Sequence, residues 1–265
     1  TASVVRAYNE HALYATRPVP EKLYYILPMF RHERPQAGRF RQFHQIGAEA
    51  LGIDSPTIDA EIIAMIFNLL QKLNVHDIEV QLNSVGCKQC RPGYWEKLQK
   101  YLQDFTSELC ADCRNRLDRN PMRILDCKNE TCQGIVASAP LMLEHVCQEC
   151  HEHFSELQEF LKILEVPFTV NPRIVRGLDY YVRTAFEFIS FSLGAQNALL
   201  GGGRYDGLSE DIGGPPLPGV GFAMGIERLL SLAQLQTKTR SPEVFIAALG
   251  ASARKPGVTL QKNLR

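Results

Sequence analysis

Apolar positions along the chain form short extended runs separated by stretches of helical repeat, the pattern of a mixed domain. Lys22–Phe30 is rich in aromatic and branched residues and predicts a strand, and Arg39–Ala50 predicts a second extended run. The turn-forming Pro35-Gln36-Ala37-Gly38 between them makes the two an antiparallel pair joined by an arginine-bearing loop. A helix is predicted over Asp54–Leu73, where Asp54 or Ser55 can cap, Pro56 suits the first turn, and Asp59 and Glu61 favour the positive end. Its buried stripe is Ile58, Ile62, Ile66, Leu69, Leu70 and Leu73. Ile78–Leu82 predicts a short strand.

Past Asn83 the long apolar runs thin out, and residues 83–150 read as a small inserted module, rich in cysteine and cations. Leu141–Leu164 predicts the helix that leads out of it, with Val146, Phe154, Leu157, Leu161 and Leu164 near one face. Phe168–Val170, Ile174–Val175 and Val182–Phe188 are strand-like, and Leu199–Gly207 reads as a glycine-rich turn. Gly219–Ala223 predicts a strand running into a helix over Gly225–Leu235. Thr237–Pro242 is a linker, and Val244–Leu249 predicts the first strand of a further unit. The expected organisation is core over 1–82 and 151–236, module over 83–150, and the opening of another domain over 243–265. The fold class is α+β, an antiparallel sheet flanked by helices with a small cysteine-rich helical insertion.

Composition narrows this little. With 29 basic and 29 acidic residues, any nucleic-acid contact has to come from a local patch. Arg31, Arg34, Arg39 and Arg41 form one, opposed by Glu33, and read either as a solvated loop or as an anion-binding one. No apolar run reaches the about 18 residues of a membrane span, and Thr1–Arg6 lacks the order of a signal peptide. The expectation is therefore a cytoplasmic protein.

Side chains two apart on a strand share a face, so Gln45 and Glu49 share one with Phe43 and Gly47. That leaves either room above a polar patch or a face that merely meets solvent. Arg176 in Arg-Gly-Leu-Asp-Tyr180-Tyr181 is either a partner for a buried acid or an anion clamp beside an aromatic wall. Gly201–Gly207 is neither a P-loop nor a dinucleotide fingerprint. Its glycines allow close backbone approach to a ligand or to a neighbouring strand. In Gly219–Leu230 three glycines keep the backbone low before a helix in which Arg228 sits early, where phosphate would also feel the positive dipole end.

All eight cysteines lie between Cys87 and Cys150, in four pairs: Cys87/Cys90, Cys110/Cys113, Cys127/Cys132 and Cys147/Cys150. Without a secretion signal, such clustering points to metal or redox chemistry. The short gaps let both thiolates of a pair reach one tetrahedral zinc ion. Eight thiols fill two four-sulfur sites, or one with spares, or remain buried thiols. Lys88, Arg91, Arg114, Arg116 and Lys128 stand ready to offset thiolate charge, and the apparent scarcity of apolar residues would make metal the module's source of stability.

Taken in order, Arg31–Gln36 with Arg39–Gln45, Ile174–Thr184, Gly202–Gly207 and Gly219–Leu230 resemble the second class motif, the histidine signature, a second family-specific stretch and the third class motif of bacterial-type class II histidyl-tRNA synthetases. The resemblance runs from residue 1 to about residue 250. It implies a six-to-seven-stranded antiparallel sheet and a histidine–tRNA ligase that uses ATP and Mg²⁺, with tRNA(His) as partner and a homodimer as the complete protein. It implies that Arg31 holds the α-phosphate and the histidine carboxylate, Glu33 touches adenine and Arg228 the terminal phosphates. Arg176 would offset transition-state charge at the α-phosphate. Thr1, Gln45, Glu49, Tyr180 and Tyr181 would surround histidine, and Arg34, Gln36, Arg39 and Arg41 would meet the tRNA acceptor stem. It further implies a catalytic core shortened at both ends, with the first class motif expected before Thr1 and an anticodon-binding domain after Val244. Two alternatives share parts of this pattern: a non-catalytic regulatory subunit of ATP phosphoribosyltransferase, and a zinc-ribbon binding module.

Overall fold

The computed structural model describes residues 1–32, 40–175, 180–194, 197–233 and 244–264. It comprises two compact units, 1–234 and 235–265. The first contains strands β1 (Glu21–Phe30), β2 (Gln42–Leu51), β3 (Glu79–Ser84), β4 (Thr169–Val170), β5 (Val182–Ile189), β6 (Ala198–Arg204) and β7 (Gly219–Gly225). Its helices are α1 (Ala2–Glu10), α2 (Leu13–Thr16), α3 (Pro56–Lys72), α4 (Cys90–Gln103), α5 (Ala111–Arg116), α6 (Glu130–Val136), α7 (Gln148–Ile163), α8 (Leu208–Asp211) and α9 (Ile226–Leu232). The strands form one seven-stranded sheet in the order β1-β2-β7-β6-β5-β3-β4, antiparallel except for the β3–β4 pair. This is the α+β fold the sequence predicts.

Local chemistry explains the elements that match. Ser55 caps α3 by accepting a hydrogen bond from the Thr57 backbone N–H, and Pro56 fills the first turn. Ile58, Ile62, Ile63, Ile66 and Leu70 are buried, and they pack with Phe154, Leu157 and Leu161 of α7 in one apolar cluster. The sheet contributes Val80, Leu82, Phe186, Phe188, Leu200, Val220, Phe222 and Met224 to that cluster, all from one face.

In the first unit, four readings need correction. Leu199–Gly207 is largely the interior strand β6 and not a turn. Its glycines are there for clearance, since a Cβ on Gly202 would lie 2.3 Å from the Phe186 ring and 2.4 Å from the Gly221 carbonyl oxygen. The helix placed at Leu141–Leu164 begins only at Gln148, because Cys147 takes an extended capping conformation at φ −70°, ψ 167°. Ile174–Val175 is buried but lies in no strand. The Asn83 side-chain amide donates to the Pro172 and Ile174 carbonyls in place of a ladder. The module is also not short of apolar burial: Tyr94, Leu98, Leu102, Leu109, Ile124 and Met142 are all buried, in a cluster that continues into Tyr8, Leu51 and Tyr205. The module's positions are scattered among polar residues on short helices, so no long run betrays them.

The second unit holds α10 (Arg254–Asn263). Val244–Leu249 forms no strand among the described residues. A strand is stable only with a ladder partner, and none pairs with it there.

Candidate active site

Opposed residues of neighbouring strands project from the same face, so the register divides the sheet in two. Ile46, Ala48, Val220, Phe222, Met224, Leu200, Phe186, Phe188, Val80 and Leu82 make an apolar face that joins the α3–α7 core. The opposite face carries Gln45, Gly47 and Glu49 from β2, then Gly221, Ala223 and Gly225 from β7, Gly201 and Gly203 from β6, and Ala185 and Glu187 from β5. Its centre is nearly devoid of side chains, with polar groups at the margins. That is a floor on which a small polar ligand can lie against backbone.

The glycines make room for particular neighbours. A Cβ on Gly221 would fall 1.8 Å from Glu49 Oε2, and one on Gly47 would fall 2.4 Å from the Tyr25 ring and hydroxyl. Glu49 is only 1% exposed, yet it is a carboxylate. Tyr205 donates a 2.6 Å hydrogen bond to its Oε2, and the Thr1 backbone nitrogen lies 3.3 Å from its Oε1. Burial raises the Glu49 pKa, opposed by the hydrogen bonds from Tyr205 and the Thr1 side chain. Burial, then the Glu49 charge, also keeps the Tyr205 phenol protonated well past its ordinary range. Tyr180 and Tyr181 complete the wall, with ring centroids 4.8 Å apart and Tyr180 set edge-on to Tyr205 at 6.1 Å. The structure thus brings together Thr1, Glu49, Tyr180 and Tyr181, with Gln45 half-buried on the same strand face as Glu49.

The cations stand at the rim. Arg31, just past β1, donates from Nε to the Phe40 carbonyl at 2.6 Å, and its guanidinium lies 4.3 Å over the Phe43 ring. That stacking holds a planar donor fork above the face that carries Phe43, Gln45 and Glu49. Arg228, in the first turn of α9, donates to the Ala198 carbonyl at the start of β6. Beside it, Glu227 Oε1 accepts from the His44 backbone at 2.7 Å and lies 3.0 Å from His44 Nδ1, which ties α9 to β2. Arg41 is exposed immediately before β2. Glu33, Arg34, Gln36, Arg39 and Arg176 lie outside the described residues.

A second polar cluster, on the other face of the sheet, is not legible in the sequence. Arg204, fully buried, donates from Nη2 to Asp59 Oδ1 at 2.6 Å and from Nη1 to Asp206 Oδ1 at 2.9 Å. Thr184 donates to Asp59 Oδ2 at 2.6 Å. Arg204 also reaches the Ile53 and Ser55 carbonyls, so it fixes the start of α3 to β6. Asp206 accepts from the Gly219 N–H at 3.1 Å. Arg204 and Asp206 flank Tyr205 in sequence, so this network sets the backbone that aims Tyr205 at Glu49. The sequence alone assigns Asp59 to the helix dipole, but its partner is 145 residues away, and a short Asp in a first turn looks the same either way. Among possible metal ligands, the eight cysteines converge into Cys87, Cys90, Cys147 and Cys150, and Cys110, Cys113, Cys127 and Cys132.

Sheet, floor and rim together are those of a class II aminoacyl-tRNA synthetase core. The apo histidyl-tRNA synthetase of S. aureus superposes with a TM-score of 0.75 at 37% identity, over 100% of this chain and 65% of that one. A family model described as histidyl-tRNA synthetase matches residues 1–229. The histidine–tRNA ligases of Desulfitobacterium hafniense and Syntrophotalea carbinolica are 53% and 48% identical over the full chain. The chain belongs to the histidyl-tRNA synthetase family. It spans 63% of the length of each of those two ligases. A Bacillus halodurans protein described as an ATP phosphoribosyltransferase regulatory subunit/histidyl-tRNA synthetase shares the fold at 20% identity and a TM-score of 0.59.

Proposed function

We propose that this chain is the catalytic core of a histidine–tRNA ligase. The observation that carries the reading is the Glu49–Tyr205 pair: a buried, oriented carboxylate at the edge of a glycine floor, walled by tyrosines. Such a carboxylate suits the N–H of an imidazole, and the aromatic rings suit its faces. Thr1 and Gln45 would contact the amino acid backbone, and Tyr180 and Tyr181 would close round the ring.

In the proposed first step an oxygen of the histidine carboxylate attacks the α-phosphorus of ATP. The bond to the bridging oxygen breaks, and pyrophosphate leaves with that electron pair. Two anions have to meet, so fixed cations are the principal requirement. Arg31 would hold the α-phosphate and the carboxylate, Glu33 would read adenine, Arg228 would hold the terminal phosphates, and Arg176 would offset charge developing at phosphorus. Mg²⁺ takes oxygen ligands and few protein ones when it travels with a triphosphate, and Glu187 on the same floor is a donor of that type. When bound it would neutralise phosphate charge. In the second step a ribose hydroxyl at the 3′ end of tRNA(His) attacks the activated carbonyl and displaces AMP, with Arg34, Gln36, Arg39 and Arg41 on the acceptor stem.

Tyr24 and Phe30, 79% and 74% exposed on edge strand β1, support a homodimer as the whole protein. The described helices include none long and apolar enough to cross a membrane, and a translation enzyme acts in the cytoplasm.

Histidine-dependent exchange of pyrophosphate into ATP tests the reading. Exchange that histidine stimulates and other amino acids do not is the expected result. A folded chain that binds histidine without exchange would favour the regulatory-subunit alternative instead.

A further inference from the structure

The sequence leaves open how eight cysteines pair, and the fold answers it crosswise. The first pair meets the fourth, and the second meets the third. Cys87 and Cys90 lie at the beginning of α4, while Cys147 caps α7 and Cys150 sits in its first turn. Cys87 Sγ is 3.4 Å from Cys90 Sγ and 3.9 Å from Cys147 Sγ, and Cys90 Sγ is 3.8 Å from Cys150 Sγ. In the second group Cys110 Sγ is 3.9 Å from Cys127 Sγ, and within each group every sulfur lies within 4.8 Å of the others.

We propose that each group is a structural zinc site, one at the neck of the inserted module and one within it. A tetrahedral ion with Zn–S of about 2.3 Å sets its sulfurs about 3.8 Å apart, which is the spacing found. All eight are free thiols, so no pair is already spent on a disulfide. Backbone donors are aimed at the sulfurs as thiolates require: the Cys147 N–H points at Cys90 Sγ (3.0 Å) and the Cys110 N–H at Cys132 Sγ (3.3 Å). Cys90, Cys113, Cys127, Cys132 and Cys150 are buried, which excludes water from the bound ion. Arg91 and Arg114 directly follow Cys90 and Cys113 and can offset the charge of four thiolates. Tetrahedral sulfur ligation selects zinc or iron, and zinc is the ion such a site holds with no redox partner.

The two ions would do different work. The neck site joins the stretch leaving β3 to the stretch returning on α7, closing a loop of 60 residues. It abuts the histidine wall, because Arg91 donates to the Val85 and Tyr181 carbonyls and Val85 N–H donates to the Arg183 carbonyl at 2.8 Å. The inner site joins α5 to α6 and to Cys127 in the segment before α6.

The test is metal analysis of the full chain, grown with zinc and purified without chelator. Two zinc ions per chain are expected, one for each group, with four thiols titrated by a mercurial for each ion released. Cobalt exchanged for zinc should give the intense visible d–d bands of four-sulfur tetrahedral coordination. Pairing is read from double variants: Cys87→Ser with Cys150→Ser should lose one ion, and Cys87→Ser with Cys113→Ser should lose both. Should variants fail to fold, the wild-type stoichiometry still decides. One ion or none in folded wild type, eight thiols freely reactive in the native chain, iron in place of zinc, or disulfides by mass would each overturn the proposal. The outcome does not depend on whether the chain activates histidine.

Discussion

Tyr205 donates its phenolic proton to Glu49 across a 2.6 Å hydrogen bond, and both residues are 1% exposed. Of the donors to this acid, Tyr205 at the end of β6 is itself held by Arg204 and Asp206 on either side of it. Tyr205→Phe should leave a buried carboxylate short of a partner, at a cost of about 1–3 kcal/mol. The pH dependence has a definite sign. The Glu49 pKa is raised on folding, so its contribution is complete below its ordinary value of 4.5 and is lost as pH rises through the folded value. Removing Tyr205 pushes that value higher still. Urea midpoints of variant and wild type should therefore diverge as pH rises above 4.5. A constant gap would mean the hydrogen bond does not tune the acid.

Gly221→Ala should be far more harmful than Gly225→Ala, although both lie on the same strand face. The first methyl would sit 1.8 Å from Glu49 Oε2 and 2.6 Å from the Ala48 carbonyl oxygen, whereas the second meets nothing within 4 Å. Overpacking of this kind costs about 1–3 kcal/mol, and displacing Glu49 should also cut histidine affinity. Thermal melts and histidine titrations of the two variants provide the comparison. Equal stability would refute the close approach.

His153 should make the chain acid-sensitive. Burial first, then the charges of Arg204 and Arg183, lower its pKa to about 4. Its Nε2 lies 3.4 Å from Asp59 Oδ2, but Arg204 already occupies that carboxylate. A histidine pKa depressed on folding contributes stability above its ordinary value of 6.5, lost as pH falls toward 4. His153→Gln should flatten the fall in denaturation midpoint across that window. An unchanged slope would assign acid sensitivity elsewhere.

Arg176→Ala should lower histidine-dependent pyrophosphate exchange on the order of 10²-fold, as loss of a transition-state charge partner does. Its melting temperature should stay near wild type. Arg176→Lys should recover only part of the rate, because the two-pronged geometry is lost. Full recovery with Lys would reduce the residue's role to its charge.

The legible parts of this fold were those fixed by neighbours in sequence. The Ser55-Pro56 start of α3, the β1–β2 pair and the β7–α9 junction all follow from local signals. Strand β6 was read as a turn because Gly201-Gly202-Gly203 is a turn signal taken alone. Only the Phe186 ring and the Gly221 carbonyl across the ladder explain it as a strand. The floor residues Gln45 and Glu49 were visible through period-two spacing, but Tyr205 was not, since nothing local ties it to residue 49. The clustered cysteines pointed to metal or redox chemistry, while their crosswise pairing needed contacts across 60 residues.

The bare floor has a consequence for selectivity. Where β7 and β6 underlie the site, the surface is main chain, and its shape does not depend on rotamers. A ligand enlarged in that direction meets atoms that cannot retreat without breaking ladder hydrogen bonds. One enlarged toward Tyr25 or Tyr180 meets half-buried side chains in place of main chain. The limit is thus stiffest from below, so under the proposed function analogues of histidine that keep its thickness and extend its edge toward Tyr25 or Tyr180 are the ones this site should admit.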